Sequence, residues 1–360
     1  MKVLHILGQL NPSGAETMLY AAGPLLKDFG IDGEILATGE QAGPYAEQLA
    51  NAGYRIHHIA FQKSPGFFWR VFKQLKSGGF DAIHLHTERA NFWLGLTALS
   101  TSKAAIRTIH NTFPFSGLLG WVRKWQRHCL IRLGVTHVAI SESVKAVELK
   151  HFNLALPLIP NWYNSERFQP PTLQQREAAR TSLAIAKDKF VIVSVGNCSE
   201  VKNHGALIRA LADSRLQNIF YLHIGIEKNC GERELADQLG IAERVNFLGM
   251  QTDILPFLHA ADLYVMPSMH EGCPISAIEA VAAGVPALFS KVPGLSDFSA
   301  IFDGLFYCKP EPESLSEGLV EIINLPPELL SKDCATNARQ AEEKFGIKRG
   351  LSEYLALYKK

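Results

Sequence analysis

An α/β chain of two doubly wound domains, each with a parallel sheet, is predicted by three features of the 360 residues. Short aliphatic or β-branched runs alternate with helical patterns, the same alternation returns in the second half, and the periodicity breaks between Pro157 and Gln175. Alternation of this kind builds βαβ units whose strands lie parallel under a cover of helices. The length gives each half enough chain to bury a core of its own.

Along the first half, a strand from Val3 to Leu7 precedes a helix from Glu16 to Phe29. A strand from Ile31 to Leu36 then precedes a helix from Pro44 to Gly53, and Ala82 to Leu85 precedes Ala90 to Leu99. The second half repeats the pattern: Phe190 to Val195 leads to Asn203–Leu211, Phe220 to Ile224 to Glu232–Leu239, Val245 to Leu248 to Ile254–His259, and Leu263 to Val265 to Pro274–Ala283. Prolines with Asn161 and Asn164 mark the boundary between the halves. Sheets of this type bind ligands at the carboxyl ends of their strands, and a cleft between two facing sheets is the expected active site.

Hydrophobic residues make up 47% and charged residues 20%, which excludes disorder and collagen-like repeats. The six cysteines are widely spaced and never form Cys-x-x-Cys, so neither a zinc knuckle nor a disulfide framework is expected, and a reducing, cytoplasmic setting fits. The N-terminal apolar run is too short for a signal segment, and no stretch approaches 18 uninterrupted apolar residues.

The near-neutral total of +1 hides an asymmetry: residues 51–150 carry 14 Lys+Arg against 4 Asp+Glu. Within them, Phe67-Phe68-Trp69-Arg70-Val71-Phe72-Lys73 and Trp121-Val122-Arg123-Lys124-Trp125-Gln126-Arg127 interleave aromatics with cations. Segments 67–76 and 121–132 suit peripheral contact with an anionic membrane face. They equally suit amphipathic helices that pack their aromatics inward. Nucleic acid is not an expected partner, because the whole chain is near neutral and holds no recognised module.

Two loops hold candidate chemistry. Gly8 to Glu16 runs from the first strand into a helix without Gly-x-Gly-x-x-Gly, which weakens a dehydrogenase reading but leaves a glycine and a helix N-terminus to meet an anion. In Pro267–Pro286, Glu271 and Glu279 lie eight residues apart, with Pro274 placed to occupy the first turn of a helix. Free N–H groups there suit a phosphate and flanking carboxylates suit vicinal sugar hydroxyls, a combination that fits a nucleotide sugar. By spacing alone, Glu271 as a loop acid and Glu279 as a helix-surface charge read as well.

The order of motifs closely resembles that of family 4 retaining glycosyltransferases, which have the GT-B fold of two facing Rossmann-like domains. Glu271-Gly272-Cys273-Pro274…Glu279-Ala280-Val281-Ala282-Ala283-Gly284-Val285-Pro286 is similar to the family's Glu-x7-Glu signature. Ser13-Gly14-Ala15-Glu16 is similar to its N-terminal loop, and Ile83–Thr87 and Thr108–Asn111 look like its histidine-bearing strand ends. Pro160-Asn161…Phe168 looks like its interdomain segment, Val195-Gly196 with Lys202-Asn203 like its second phosphate loop, and Val245–Gly249 like the strand beneath the base. Phe345-Gly346…Tyr354-Leu355…Tyr358 looks like the terminal helix that crosses back onto the first domain. The implied domains are 1–165 with 345–360, on the acceptor side, and 166–344, which binds the donor.

The resemblance implies the following roles. Glu271 holds the donor sugar with the amides of Gly272, Cys273, Pro274 and Ile275 near sugar and diphosphate, Glu279 grips the ribose, and the base rests near Met250. Lys202 and the Gly14 amide neutralise the diphosphate, while His110 stands by the reacting centre. His86, Phe113 and Trp121 fall on the acceptor side; His84 reads as a core residue, and His5, His57 and His58 receive no role. One departure is Gly196-Asn197 where the family has Gly-Arg, so Asn197 replaces an expected cation. No Asp-x-Asp occurs, and no metal or cofactor is expected.

The implied activity is retaining transfer of a hexose or N-acetylhexosamine from a nucleoside-diphosphate sugar, UDP-linked, to a glycan or lipid-linked acceptor in cell-surface polysaccharide assembly. A non-catalytic nucleotide-sugar-binding relative and a nucleotide-sugar epimerase of the same architecture are the alternatives.

Overall fold

A computed structural model describes residues 1–110, 117–227 and 231–360. The chain divides into two compact units, Met1–Asn164 with Phe345–Lys360, and Ser165–Lys344.

The first unit contains β1 (Lys2–Leu7), β2 (Asp32–Ala37), β3 (Arg55–His58), β4 (Ala82–Leu85), β5 (Ala104–Ile109) and β6 (Thr136–Ala139). They pair in parallel in the order β3-β2-β1-β4-β5-β6. The second contains β7 (Phe190–Val195), β8 (Ile219–Ile224), β9 (Val245–Phe247), β10 (Leu263–Met266), β11 (Ala287–Ser290) and β12 (Phe306–Cys308), also parallel, in the order β12-β11-β10-β7-β8-β9. Each order reverses once, between β1 and β4 and between β7 and β10. Carboxyl ends at such a reversal leave a crevice, because successive helices depart to opposite faces. The loops after β1, β4, β7 and β10 therefore lie where a ligand can reach backbone.

Helices on both faces bury the inner strands along their whole length: every residue of β4, β5, β10 and β11 is buried, the polar His84, Arg107, Thr108 and Ser290 included. The reading of the sequence omitted β3, β6, β11 and β12. An edge position explains β3, whose residues remain partly exposed, and β12 is three residues long. The expected helix from Glu16 to Phe29 stops at Ala22, and Gly23–Leu25 continues as a 3₁₀ turn, because Pro24 cannot donate into the helical ladder.

The C-terminal helix Ile347–Tyr358 packs on the first sheet. Tyr358 Oη lies 2.7 Å from His84 Nδ1, and Tyr354 Oη lies 2.6 Å from Thr108 Oγ1. Gly350 permits this approach, since a Cβ there would stand 2.2 Å from Trp162 Cε3. Trp162 is held in turn by its indole N–H, which donates to the Met18 carbonyl at 2.9 Å.

Two helices contradict the inward-packing expectation for their tryptophans. Helix Pro65–Gly78 buries Phe67, Val71 and Leu75 along one stripe, yet Trp69 is 66% exposed. In helix Gly117–Arg132, Trp121 is 67% exposed, and Leu118, Leu119 and Trp125 are exposed beside it.

Candidate active site

In the second unit, β10 delivers the chain into the loop Pro267–Pro274, and helix Ile275–Ala282 follows. Pro274 is the N-cap residue rather than part of the first turn, with extended backbone angles. The shift is one residue and keeps the sense of the expectation: no side chain caps the helix, so the first-turn N–H groups stay available to an anion. Cys273 and Ile275 are buried at this end, and Gly272 is partly exposed.

Glu271 is largely buried, and its Oε1 accepts from Lys202 Nζ at 2.7 Å and from Ser268 Oγ at 2.7 Å. Two features fix the loop. Gly294, at φ +83°, backs onto it so closely that a Cβ would lie 2.4 Å from the Glu271 carbonyl oxygen. Met269 N–H donates to the Val201 carbonyl at 2.8 Å, joining this loop to the one after β7.

Lys202 is placed by that second loop. Its N–H donates to Ser199 Oγ at 3.2 Å, while Asn203 Nδ2 donates to the carbonyls of Pro267 and Pro310 at 3.0 and 2.8 Å. Asn197, exposed in the same loop, spends its Oδ1 on the Ile226 N–H at 2.8 Å. It therefore closes the backbone between the ends of β7 and β8. Beneath, buried His204 and His223 stack edge to face at 4.5 Å, and His223 Nε2 meets the Gly196 carbonyl at 3.2 Å. Burial lowers the basicity of both, so this floor adds no charge at neutral pH.

Glu279 lies on helix Ile275–Ala282 and is buried, so it is not a helix-surface charge. Burial pushes its carboxyl up to about 8, against a lowering influence from Arg167, whose Nη2 pairs with Asp253 Oδ1 at 2.6 Å. A largely protonated Glu279 can donate as well as accept a hydrogen bond. Met250 follows Gly249, whose carbonyl accepts from Gly225 N–H at 2.9 Å, and its side chain is half exposed.

In the first unit, Gly14 opens helix Gly14–Ala22 with Ser13 as N-cap. Sequence reasoning missed the occupant of that helix mouth. The Ser13 hydroxyl donates to the buried Glu16 carboxyl, which also faces the backbone amides of Glu16 and Asn11. Burial raises its pKa.

The ends of β4 and β5 and the middle of β1 bring histidines together. His110 Nε2 lies 3.1 Å from His86 Nδ1, and His86 Nε2 lies 3.1 Å from His5 Nδ1, so His5 joins a group from which the sequence reading left it out. His84 is a satisfied core residue: its nitrogens meet Tyr358 Oη and Thr108 Oγ1, each at 2.7 Å. His57 pairs with Glu34 at 2.5 Å, and His58 bonds the Gly39 carbonyl, both away from this group. Phe113 lies outside the described residues, and Trp121 stands on the exposed helix face already noted. Besides His5 and Glu16, Ser268 and Asn203 had received no individual role from the sequence. The Ser-x-x-Glu spacing of Ser268 and Glu271 was the available signal, since a serine three residues before an acid can reach it locally.

The two sheets and the loops at their reversal points agree with what the chain is similar to. Residues 12–167 match the family model described as Glycosyltransferase Family 4, and residues 175–341 that of Glycosyl transferases group 1. The chain belongs to the family 4 glycosyltransferases and has the GT-B fold. It is 28% identical over 307 residues to EpsF of Bacillus subtilis (strain 168), which carries a glycosyltransferase name; the match covers 80% of this chain and 79% of that one. It is 22% identical over 359 residues to the Escherichia coli UDP-Gal:alpha-D-GlcNAc-diphosphoundecaprenol alpha-1,3-galactosyltransferase, covering 93% and 91%. Among solved structures, Anabaena Alr3699/HepE in complex with UDP and glucose superposes with a TM-score of 0.82 at 17% identity, covering 99% of this chain and 98% of that one. The protein is thus a glycosyltransferase.

Proposed function

We propose that the enzyme transfers a hexose or N-acetylhexosamine, with retention and without a metal, from a UDP-linked sugar to a glycan or lipid-linked acceptor in cell-surface polysaccharide assembly. The observation that carries this reading is the Lys202–Glu271–Ser268 cluster beside an uncapped helix end, with buried Glu279 on the same helix. A diphosphate needs the ammonium and amides; sugar hydroxyls need the carboxyls. The UDP-sugar donor in the Escherichia coli relative's name and the UDP bound to the Anabaena protein support the base.

In this reading Glu271 binds sugar hydroxyls, with the backbone from Gly272 to Ile275 around sugar and diphosphate. Glu279 binds the ribose, and Met250 lies near the base. As the sugar–phosphate bond breaks, negative charge gathers on the leaving diphosphate, where Lys202, the Asn197 amide, the helix N–H groups and the Gly14 amide lower the barrier. The leaving phosphate takes the acceptor proton on the same face, and His110 stands by the reacting hydroxyls, with His86 and Trp121 assigned to the acceptor side. Incubation with UDP-sugars, lipid-linked acceptors and EDTA is expected to release UDP and form product. Loss of transfer on chelation contradicts the metal-free reading, and UDP-sugar consumption without an acceptor favours an epimerase.

The exposed Trp69 and Trp121 with Arg70, Lys73, Arg123 and Lys124 support peripheral contact of segments 67–76 and 121–132 with an anionic membrane face. No helix among the described residues is long and apolar enough to cross a membrane. Such contact would bring the enzyme to a lipid-linked acceptor at the cytoplasmic side.

A further inference from the structure

The histidines at the ends of β4 and β5 and within β1 form a directed series. His110 Nε2 faces His86 Nδ1 at 3.1 Å, and His86 Nε2 faces His5 Nδ1 at 3.1 Å. Burial depresses the basicity of all three, to about 4 for His110, about 3 for His5 and well below the usual range for His86, where His84, His5 and His110 add to the effect. At neutral pH each ring carries one N–H, and so has one donor and one acceptor nitrogen.

Those conditions leave two arrangements. If His110 donates from Nε2, His86 accepts at Nδ1 and donates from Nε2, and His5 accepts at Nδ1 and keeps its proton on Nε2. In the reverse arrangement all three protons sit on Nδ1. Any mixture places two N–H groups or two lone pairs face to face in a buried bond, which costs about 1–3 kcal/mol per unsatisfied group. His84 is exempt, since both its partners are hydroxyls that either donate or accept. A metal shared by His5, His84 and His86, whose ligand atoms lie within 4.8 Å of one another, would require His84 to give up a hydroxyl and His5 to release His86.

We propose that His5 and His86 are positioning residues that decide, through this series, which nitrogen of His110 carries its proton. Whether His110 Nδ1 offers a lone pair or an N–H to a substrate hydroxyl is then a property of three rings. The consequence for transfer rests on the role proposed for His110, but the tautomers are read without any substrate.

The test is a long-range ¹H–¹⁵N correlation spectrum of the full chain, with ¹⁵N-labelled histidine, near pH 7 and without ligand. The expected result is one tautomer shared by His5, His86 and His110, all Nε2–H or all Nδ1–H. A mixed set, or a doubly protonated ring among the three, overturns the proposal. In His5→Leu the His110 nitrogen shifts are expected to move toward the average of the two tautomers, whereas His5→Asn, whose amide meets His86 from the Nδ1 position, preserves them. Unchanged His110 shifts in a folded His5→Leu protein overturn the positioning role, and if that variant does not fold, the unsubstituted protein's spectrum decides alone. A shared tautomer in a protein that transfers no sugar leaves the series standing and rejects the transfer reading instead.

Discussion

Lys202 Nζ stands 2.7 Å from Glu271 Oε1, so the cation assigned to the diphosphate and the acid assigned to the sugar are hydrogen-bonded to each other. Each therefore sets the position of the other. Removing Lys202 leaves a largely buried carboxylate with Ser268 still bonded to it, and removing Glu271 frees the ammonium.

A charge-assisted bond of this kind is worth about 1.5–3 kcal/mol, or roughly one to two decades in affinity or rate. Lys202→Met and Glu271→Gln are each expected to lower kcat/KM by at least tenfold. In a double-mutant cycle on UDP-sugar affinity, measured by calorimetry, their effects are expected to depart from additivity by about 1 kcal/mol or more. Additive effects would mean that the pair does not act as a unit.

Glu279 gives stability a pH dependence of defined sign. Its carboxyl is raised to about 8 in the folded chain, above its ordinary value of 4.5, so the folded state holds the proton more tightly. This contribution is complete below pH ~4.5 and is lost as pH rises through 8. Glu279→Gln keeps the neutral shape, and its Tm relative to the unsubstituted protein is expected to be higher at pH 8.5 than at pH 5. A Tm difference that does not change with pH would show that Glu279 is ionised in the folded protein.

Gly350→Ala is expected to loosen the C-terminal helix, because the new methyl would meet Trp162 at 2.2 Å. Overpacking of this kind costs about 1–3 kcal/mol. A lowered Tm with a shifted Trp162 environment, followed by fluorescence against a Trp162→Phe control, is the expected outcome. An unchanged melting curve would contradict the packing described.

The exposed tryptophans predict binding to vesicles rich in phosphatidylglycerol and weak binding to phosphatidylcholine. Each cation near such a surface adds about 1 kcal/mol, roughly fivefold in affinity, and salt screens it. Trp69→Ala with Trp121→Ala, and separately Arg123→Glu with Lys124→Glu, are expected to reduce co-sedimentation by fivefold or more. Equal binding by all variants would place the contact elsewhere.

Much of the fold was legible because buried parallel strands leave mostly apolar runs, as in β1, β7 and β10, and helices between them leave a different period. Edge strands such as β3 lack that signal, being partly exposed. The acids Glu271 and Glu279 were singled out by the resemblance to the Glu-x7-Glu signature rather than by spacing alone, but that Glu279 is buried and Glu271 bonded to Lys202 depends on partners 69 residues apart in the latter case. The same holds for His5, which meets His86 across 81 residues because β1 and β4 are neighbours in the sheet. Asn197 looked like a lost cation; its bond to the Ile226 amide gives it a place in the loop that residue type alone did not reveal.

The second unit is expected to receive a nucleoside diphosphate at the loop after β10. The most direct measurement is a crystal structure of the chain with UDP. The diphosphate is expected against Lys202 and the first-turn amides of helix Ile275–Ala282, with the ribose hydroxyls on Glu279. A nucleotide seated elsewhere, with Lys202 and Glu279 untouched by it, would contradict the account.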